Sequence, residues 1–120
     1  MATADTRGCV LVDSDVIIDH IRGARPLPDV SLAYSVITRC ELFSGRDEAD
    51  VLRKMLKPMH EIVVDTRIAE RGGTLRRTFQ LPTPDALIAA TALEHDLPLM
   101  TRNQRHFGRV DGLDLRVPGD

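Results

Sequence analysis

Aromatic residues are scarce in this 120-residue sequence, at 3% of the chain, with one Tyr, three Phe and no Trp. Proteins that bind single-stranded nucleic acids by base stacking present several aromatic side chains along one groove. The formal net charge of −2 also provides no overall attraction to a polyanion. We therefore expect any contact with RNA or DNA to depend on a local cluster of charge.

Residues with the spacings of common metal and phosphate sites are also absent. Cys9 and Cys40 are far apart, each among apolar neighbours, so we predict two buried, reduced thiols. The glycines form neither a GxGxxG nor a GxxxxGK motif. No HExxH-like pair occurs among the four histidines, which we expect at the surface: His20, His60, His95 and His106.

No apolar run is long enough to cross a bilayer, and the polar residues 1–8 lack the apolar segment of a signal peptide. We therefore expect a cytoplasmic protein without a membrane segment. Hydrophobic residues make up 42% of the chain, which is ordinary for a globular protein. The length predicts a single domain over residues 1–120, with a core that needs no disulfide.

Strand-like and helix-like segments alternate along the chain. Predicted strands cover residues 9–12, 31–36, 60–65, 97–100 and 113–117, and predicted helices cover 14–21, 37–43, 47–56, 66–79 and 83–93. The connections are long enough for crossovers between parallel strands. The fold class is therefore predicted to be α/β, a three-layer α/β/α sandwich with a mostly parallel central sheet, although the strand order cannot be read from the pattern.

Three acids occupy positions where the hydrophobic pattern favours other residues. Asp13 ends the first strand, Glu41 shares a helical face with Ile37, and Asp85 shares one with Ile88. A buried carboxylate is costly unless a cation compensates its charge. These acids are therefore predicted to meet around a cation.

A divalent metal ion is the predicted cation, since the two lysines, Lys54 and Lys57, both belong to a different, amphipathic segment. Carboxylates without Cys or His at ligand spacing favour Mg²⁺ or Mn²⁺ over zinc. Asp15 is close enough to Asp13 to assist.

Each acid also has a purely structural interpretation. Asp13 could be an N-cap, Asp85 could be favoured by the helix dipole, and Glu41 could lie at an exposed helix edge. Asp19 and Asp65 are assigned mainly to solvated faces and caps.

Four blocks of sequence carry these acids: residues 10–19, 35–42, 84–92, and 99–103 with Phe107. Their order, spacing and context resemble the PIN-domain nucleases, and among these the VapC-type toxins of bacterial toxin–antitoxin modules. The resemblance extends from about residue 9 to residue 117, nearly the whole chain. It implies an endoribonuclease that uses Mg²⁺, or Mn²⁺ as a substitute, to activate water against a phosphodiester bond.

The resemblance also implies the site residues. Asp13, Glu41 and Asp85 match the family's three most regular acids and are the expected catalytic metal ligands. The fourth position, often acidic in the family, is Asn103 here, and it is also expected to be catalytic. Its amide can hold a metal-bound water or a phosphate, but it adds no charge, so a second metal would be held less firmly. Asp15 is the nearest residue that could compensate.

Further residues near Asn103 are expected to contact the RNA. Thr101 matches a hydroxyl that the family frequently has beside this position. Arg102, Arg105 and Arg109 provide local positive charge for a phosphate backbone, although they could equally solvate a loop.

The expected partners also follow from the resemblance. VapC-type proteins usually form homodimers and are silenced by a cognate VapB-type antitoxin. The antitoxin's C-terminal arm reaches the acidic site, often with an arginine, whose guanidinium pairs well with carboxylates.

Two alternatives remain open. A phosphatase of the haloacid-dehalogenase type would use Asp13 as nucleophile and Asp15 as acid/base, but this chain lacks the late lysine and the glycine-threonine continuation of that chemistry. The other alternative is a module that binds metal or antitoxin but has lost cleavage because Asn103 replaces an acid.

Overall fold

The computed structural model describes residues 5–119, in which strands and helices alternate. The elements are β1 (Val10–Val12), α1 (Ser14–Ile21), β2 (Leu32–Ser35), α2 (Val36–Phe43), α3 (Ala49–Leu56), β3 (His60–Ile62), α4 (Thr66–Phe79), α5 (Thr83–Glu94), β4 (Leu99–Met100), α6 (Gln104–Phe107) and β5 (Leu115–Arg116). The strands form one sheet in the order β3-β2-β1-β4-β5, and every pairing is parallel. The predicted α/β class is confirmed.

Helices cover both faces of the sheet because side chains of β1 alternate between two cores. Leu11 points into a cluster with residues of α4 and α5, including Ile68 and Ile88. Val12 points into the opposite cluster, which contains Ile17 of α1 and Leu52 of α3. The central strand is therefore buried on both sides, as its uninterrupted apolar sequence predicts.

Among the helices in the described residues, α5 has the largest number of buried residues. Its buried residues are Ala86, Ile88, Ala89, Ala90, Thr91 and Ala92. Helix α4 packs on it closely at Gly72, where an added Cβ would lie 2.8 Å from Leu87 Cδ2. The glycine that lowers the helix propensity of α4 thus permits the contact that fixes α5.

Several element boundaries differ from the predicted ones because polar side chains cap helices. Ser35 ends β2 and accepts the Ile37 N–H at 3.0 Å, so Val36 belongs to α2 and not to a strand. Asp65 accepts the Ile68 N–H at 2.9 Å and caps α4, so β3 is shorter than predicted. Thr83, a residue type typical of helix caps, opens the predicted segment 83–93 and was expected to cap it, but Thr83 is already helical in α5 and Pro82 is the N-cap residue.

Helix α6, the two cysteines and the lengths of the helices each bear on a separate prediction. Helix α6 was not predicted, because four residues are too few to show a helical period. Cys9 is buried as expected, but Cys40 is exposed, since it lies on the outer side of α2. Among the helices in residues 5–119, none combines the length and the apolar character that a membrane span requires.

Candidate active site

The predicted site residues gather at the carboxyl edge of the sheet, beside β1, where the strand order reverses: β2 and β3 lie on one side of β1, and β4 and β5 lie on the other. β1 lies between β2 and β4, and the Asp13 N–H donates to the Met100 carbonyl at 3.0 Å. Asp13 follows β1 and Thr101 follows β4. Open parallel sheets form a crevice at the point where the strand order reverses, and ligands bind in that crevice.

Asp13 is the most buried of the acids, with 7% of its surface exposed. Its Oδ1 accepts the Ser14 N–H at 2.8 Å, and its Oδ2 accepts the Thr101 hydroxyl at 2.8 Å. It is also the N-cap residue of α1, so the structural and the functional interpretation of this acid coexist. Burial, followed by the charge of Asp15, raises the pKa of Asp13 to about 6.

Asp15 lies in the first turn of α1, beside Asp13. Its Oδ2 accepts the Arg102 N–H at 3.1 Å, and Thr101 Oγ1 lies 3.3 Å from the same oxygen. Its Oδ1 is buried without a hydrogen-bond partner among the residues that the structure describes. Burial is the main reason that the pKa of Asp15 is raised. A buried carboxylate oxygen of this kind is suited to a cation.

Glu41 reaches the same cluster from α2. Its Oε1 lies 3.4 Å from the Ser14 hydroxyl, which donates to it. Burial and the charges of Asp13 and Asp85 raise the pKa of Glu41 to about 7. Glu41 therefore lies within electrostatic reach of both acids, as the sequence pattern predicts.

Asp85 lies in the first turn of α5, where its Oδ2 is 2.8 Å from His106 Nδ1. Asn103, the residue in the fourth position, caps α6 by accepting the His106 N–H on its Oδ1 at 3.3 Å. His106 is thus partly exposed, and it also contacts an acid of the cluster, which the sequence interpretation did not include. Asn103 lies three residues before His106, which is the spacing between an N-cap residue and the N–H that it accepts. This spacing was the sequence signal for the short helix that carries His106.

The arginines near Asn103 have different surroundings. Arg102 Nε lies 3.1 Å from Asp19 Oδ2, and the Asp19 side chain is only 14% exposed, so Asp19 is not a simple solvated residue. Arg109 Nη1 donates to the Phe79 carbonyl at 3.4 Å. Arg105 is exposed on α6, next to His106. Of these, Arg105 is the least engaged by the protein itself.

The donor set of the cluster fits a hard divalent cation. No three His, Cys, Asp or Glu side chains in residues 5–119 converge into a ready-made metal site. Asp13, Asp15 and Glu41 nevertheless form no ion pair with a Lys or Arg side chain in this part of the chain, and their mutual repulsion contributes to the raised pKa values. Carboxylate oxygens in excess of local positive charge are the ligands that Mg²⁺ and Mn²⁺ prefer.

Comparisons with known proteins identify the family of this chain. The family model described as PIN domain matches residues 10–113. Ribonuclease VapC10 of Mycobacterium tuberculosis is 34% identical over 127 residues, which cover 92% of this chain and 96% of the relative. Ribonuclease VapC19 of the same species is 33% identical over 125 residues, covering 90% and 98%.

Among solved structures, a toxin–antitoxin complex from Klebsiella pneumoniae superposes with a TM-score of 0.78 at 30% identity, covering 92% of this chain and 98% of that chain. The family match and the two curated relatives each extend over nearly the whole sheet and all four acids. The chain therefore belongs to the PIN-domain family and, within it, to the VapC-type proteins.

Proposed function

We propose that this protein is a metal-dependent endoribonuclease toxin of a VapBC-type module, acting on RNA in the cytoplasm. The observation that carries the proposal is the cluster of Asp13, Asp15, Glu41 and Asp85. Within residues 5–119, the first three of these acids form no ion pair with a Lys or Arg side chain, and burial raises the pKa of each. The cluster lies beside β1, where the strand order reverses, and open parallel sheets bind ligands at such a point. The curated relatives are named ribonucleases, which favours this function over the haloacid-dehalogenase alternative.

The acids are proposed as the residues that hold Mg²⁺, with Mn²⁺ as a substitute. Asp13, Glu41 and Asp85 would bind the ion. Asp15 is the fourth candidate, because its buried Oδ1 has no hydrogen-bond partner within residues 5–119. When bound, such an ion polarises a phosphodiester and lowers the pKa of coordinated water. Asn103 contributes no charge to this set.

The remaining residues hold these acids in place. The Thr101 hydroxyl donates to Asp13, and the Ser14 hydroxyl donates to Glu41, which orients one oxygen of each carboxylate. Arg105, exposed beside the cluster, is placed to attract the phosphate backbone of RNA. The protein side chains thus bind and orient the reacting groups and supply no covalent nucleophile.

The proposed partner is a cognate VapB-type antitoxin, and the protein is proposed to act as a homodimer. The Klebsiella pneumoniae structure is described as a toxin–antitoxin complex, which supports such a partner here. An acidic crevice is complementary to an arginine, whose guanidinium pairs with two carboxylate oxygens at once. Such a residue would both block the crevice and occupy the place of the metal's charge.

The decisive experiment incubates the purified protein with RNA and Mn²⁺, beside two variants. Asp13→Ala removes the most buried acid, and Asp111→Ala, at an exposed aspartate that follows Val110 in the chain, is the control. We expect cleavage by the wild type and by Asp111→Ala, and its loss in Asp13→Ala. Equal cleavage by all three proteins would refute the nuclease assignment. Failure of the wild type to cleave a broad set of RNAs, with Mn²⁺ still bound, would favour the binding module.

A further inference from the structure

His106 makes a contact with the acidic cluster that the proposed chemistry does not yet use. Its Nδ1 lies 2.8 Å from Asp85 Oδ2 and 3.1 Å from Asn103 Nδ2. The imidazole is about one-third exposed, while the next residue, Phe107, is buried and anchors α6. The ring is therefore held at the edge of the crevice by a short helix whose position is fixed.

The two contacts of Nδ1 cannot both be hydrogen bonds. A ring nitrogen carries either a hydrogen or a lone pair in the ring plane, whereas the Asn103 amide nitrogen only donates. An ionised Asp85 only accepts, so Nδ1 must carry the hydrogen and donate it to Asp85 Oδ2. This assignment holds for the neutral Nδ1–H tautomer and for the imidazolium alike.

Asn103 has a defined part in this arrangement. Its Oδ1 accepts the His106 backbone N–H at 3.3 Å, and the Asn103 backbone N–H donates to Thr101 Oγ1 at 3.0 Å. The residue in the fourth acidic position thus shapes the turn that carries the imidazole towards Asp85. An aspartate could make the same cap, but it would place another negative charge beside Asp85.

We propose that His106 is a positioning residue for Asp85, an inference that rests on the proposed role of Asp85 as a metal ligand. The Nδ1–H holds Oδ2 and leaves Oδ1 as the oxygen available to a metal ion. Hydrogen bonds to ligating carboxylates fix their orientation, and their removal typically weakens metal binding about 10- to 100-fold. Asn103 cannot strengthen metal binding with a negative charge, and the His106 imidazole compensates in part by orienting the Asp85 carboxylate.

The test measures Mn²⁺ binding to the purified protein by calorimetry, without RNA. The variants are His106→Ala, which removes the donor, and His106→Asn, whose amide N–H can take the place of Nδ1–H. His95→Ala is the matched control, since His95 is exposed at the end of α5. We expect Mn²⁺ affinity to fall about tenfold or more in His106→Ala, to recover largely in His106→Asn, and to stay unchanged in His95→Ala.

A second measurement needs no change at residue 106. Nitrogen-15 NMR of the imidazoles in alkaline buffer reports which ring nitrogen carries the hydrogen, and we expect Nδ1–H for His106 in the wild type. The same resonance should shift to the ordinary Nε2–H form in Asp85→Ala, which removes the acceptor. An Nε2–H signal in the wild type would overturn the inference.

The outcomes separate this inference from the proposed function. If Asp13→Ala loses Mn²⁺ binding while His106→Ala binds like the wild type, only the role of His106 is refuted. If His106→Asn binds as weakly as His106→Ala, donation from this position is not what matters, and the inference also fails. A wild type that does not bind Mn²⁺ would overturn both.

Discussion

The Thr101 hydroxyl donates to Asp13 Oδ2 at 2.8 Å and so joins two residues that are 88 positions apart in the chain. Thr101 is fully buried, and its oxygen also accepts the Asn103 N–H at 3.0 Å. A hydroxyl has a single hydrogen, so the 3.3 Å approach to Asp15 is the weaker of its two carboxylate contacts. The ends of β1 and β4 are therefore linked through one side chain.

Thr101→Val removes this donor while keeping the shape of the side chain. We expect a loss of about 1–3 kcal/mol in the free energy of unfolding at neutral pH, because a buried carboxylate loses a hydrogen bond. Thr101→Ser keeps the hydroxyl and serves as the control. Urea denaturation in the presence of EDTA compares the two variants, and equal stability would show that the hydroxyl does not support Asp13.

The stability of the metal-free protein should fall as the pH rises. Burial and neighbouring charge raise the pKa of Asp13 from 3.8 to about 6 and that of Glu41 from 4.5 to about 7. Between these values the folded state binds more protons than the unfolded state, so the free energy of unfolding decreases with increasing pH. The shift at Asp13 corresponds to roughly 3 kcal/mol, and half-buried Glu41 adds less because solvent screens it.

Asp13→Asn isolates this contribution, since the amide cannot ionise. Unfolding in EDTA at several pH values from about 4 to 7 should show the wild type losing stability relative to the variant. Added Mn²⁺ should remove most of that loss, because the ion favours the ionised carboxylates. Parallel stability curves for the two proteins would contradict the raised pKa of Asp13.

The adjacent glycines of α4 should respond differently to alanine. A Cβ at Gly73 meets no atom within 4 Å, so Gly73→Ala should stabilise the protein by about 0.5–1 kcal/mol through helix propensity and reduced chain entropy. A Cβ at Gly72 would lie 2.8 Å from Leu87 Cδ2, so Gly72→Ala must displace that side chain and should gain less or lose stability. Leu87 lies two residues after Asp85, and we expect only Gly72→Ala to reduce RNA cleavage. Thermal unfolding of both variants, together with the cleavage assay, tests this prediction. Equal gains in stability would mean that Leu87 moves away from a Cβ at Gly72 at little energetic cost.

The exposed Arg105 should contribute more to RNA binding than Arg102, whose guanidinium is paired with Asp19. In an inactive Asp13→Asn background, Arg105→Ala should weaken RNA binding. The slope of log affinity against log salt concentration should also become shallower by about 1, as expected for the loss of one phosphate contact. Arg116→Ala, on β5 and paired with Asp114, is the control. Filter binding over a series of KCl concentrations measures both quantities. A larger effect of Arg102→Ala would show that its ion pair opens to admit RNA.

The sequence by itself was enough to predict the fold class and to identify Asp13, Glu41 and Asp85 as acids at positions where the hydrophobic pattern favours other residues. The apolar run before Asp13 gives a strand buried on both faces, since such residues cannot face water on either side of a central strand. The helical period around Asp85 aims a carboxylate towards apolar neighbours, and that contradiction between pattern and charge was the functional signal. These properties depend on residues close together in the chain, so they can be read without coordinates.

Only the tertiary structure decided which residues meet. Contacts such as Thr101 with Asp13 and His106 with Asp85 depend on β1 lying between β2 and β4, and no local pattern encodes that strand order. The predicted burial of Cys40 was wrong for the same reason. Which side of a helix faces solvent depends on where the neighbouring elements pack. The sequence determined where charge would be out of place, and packing determined which side chains bond to it, because hydrogen bonds require distances that only the assembled sheet sets.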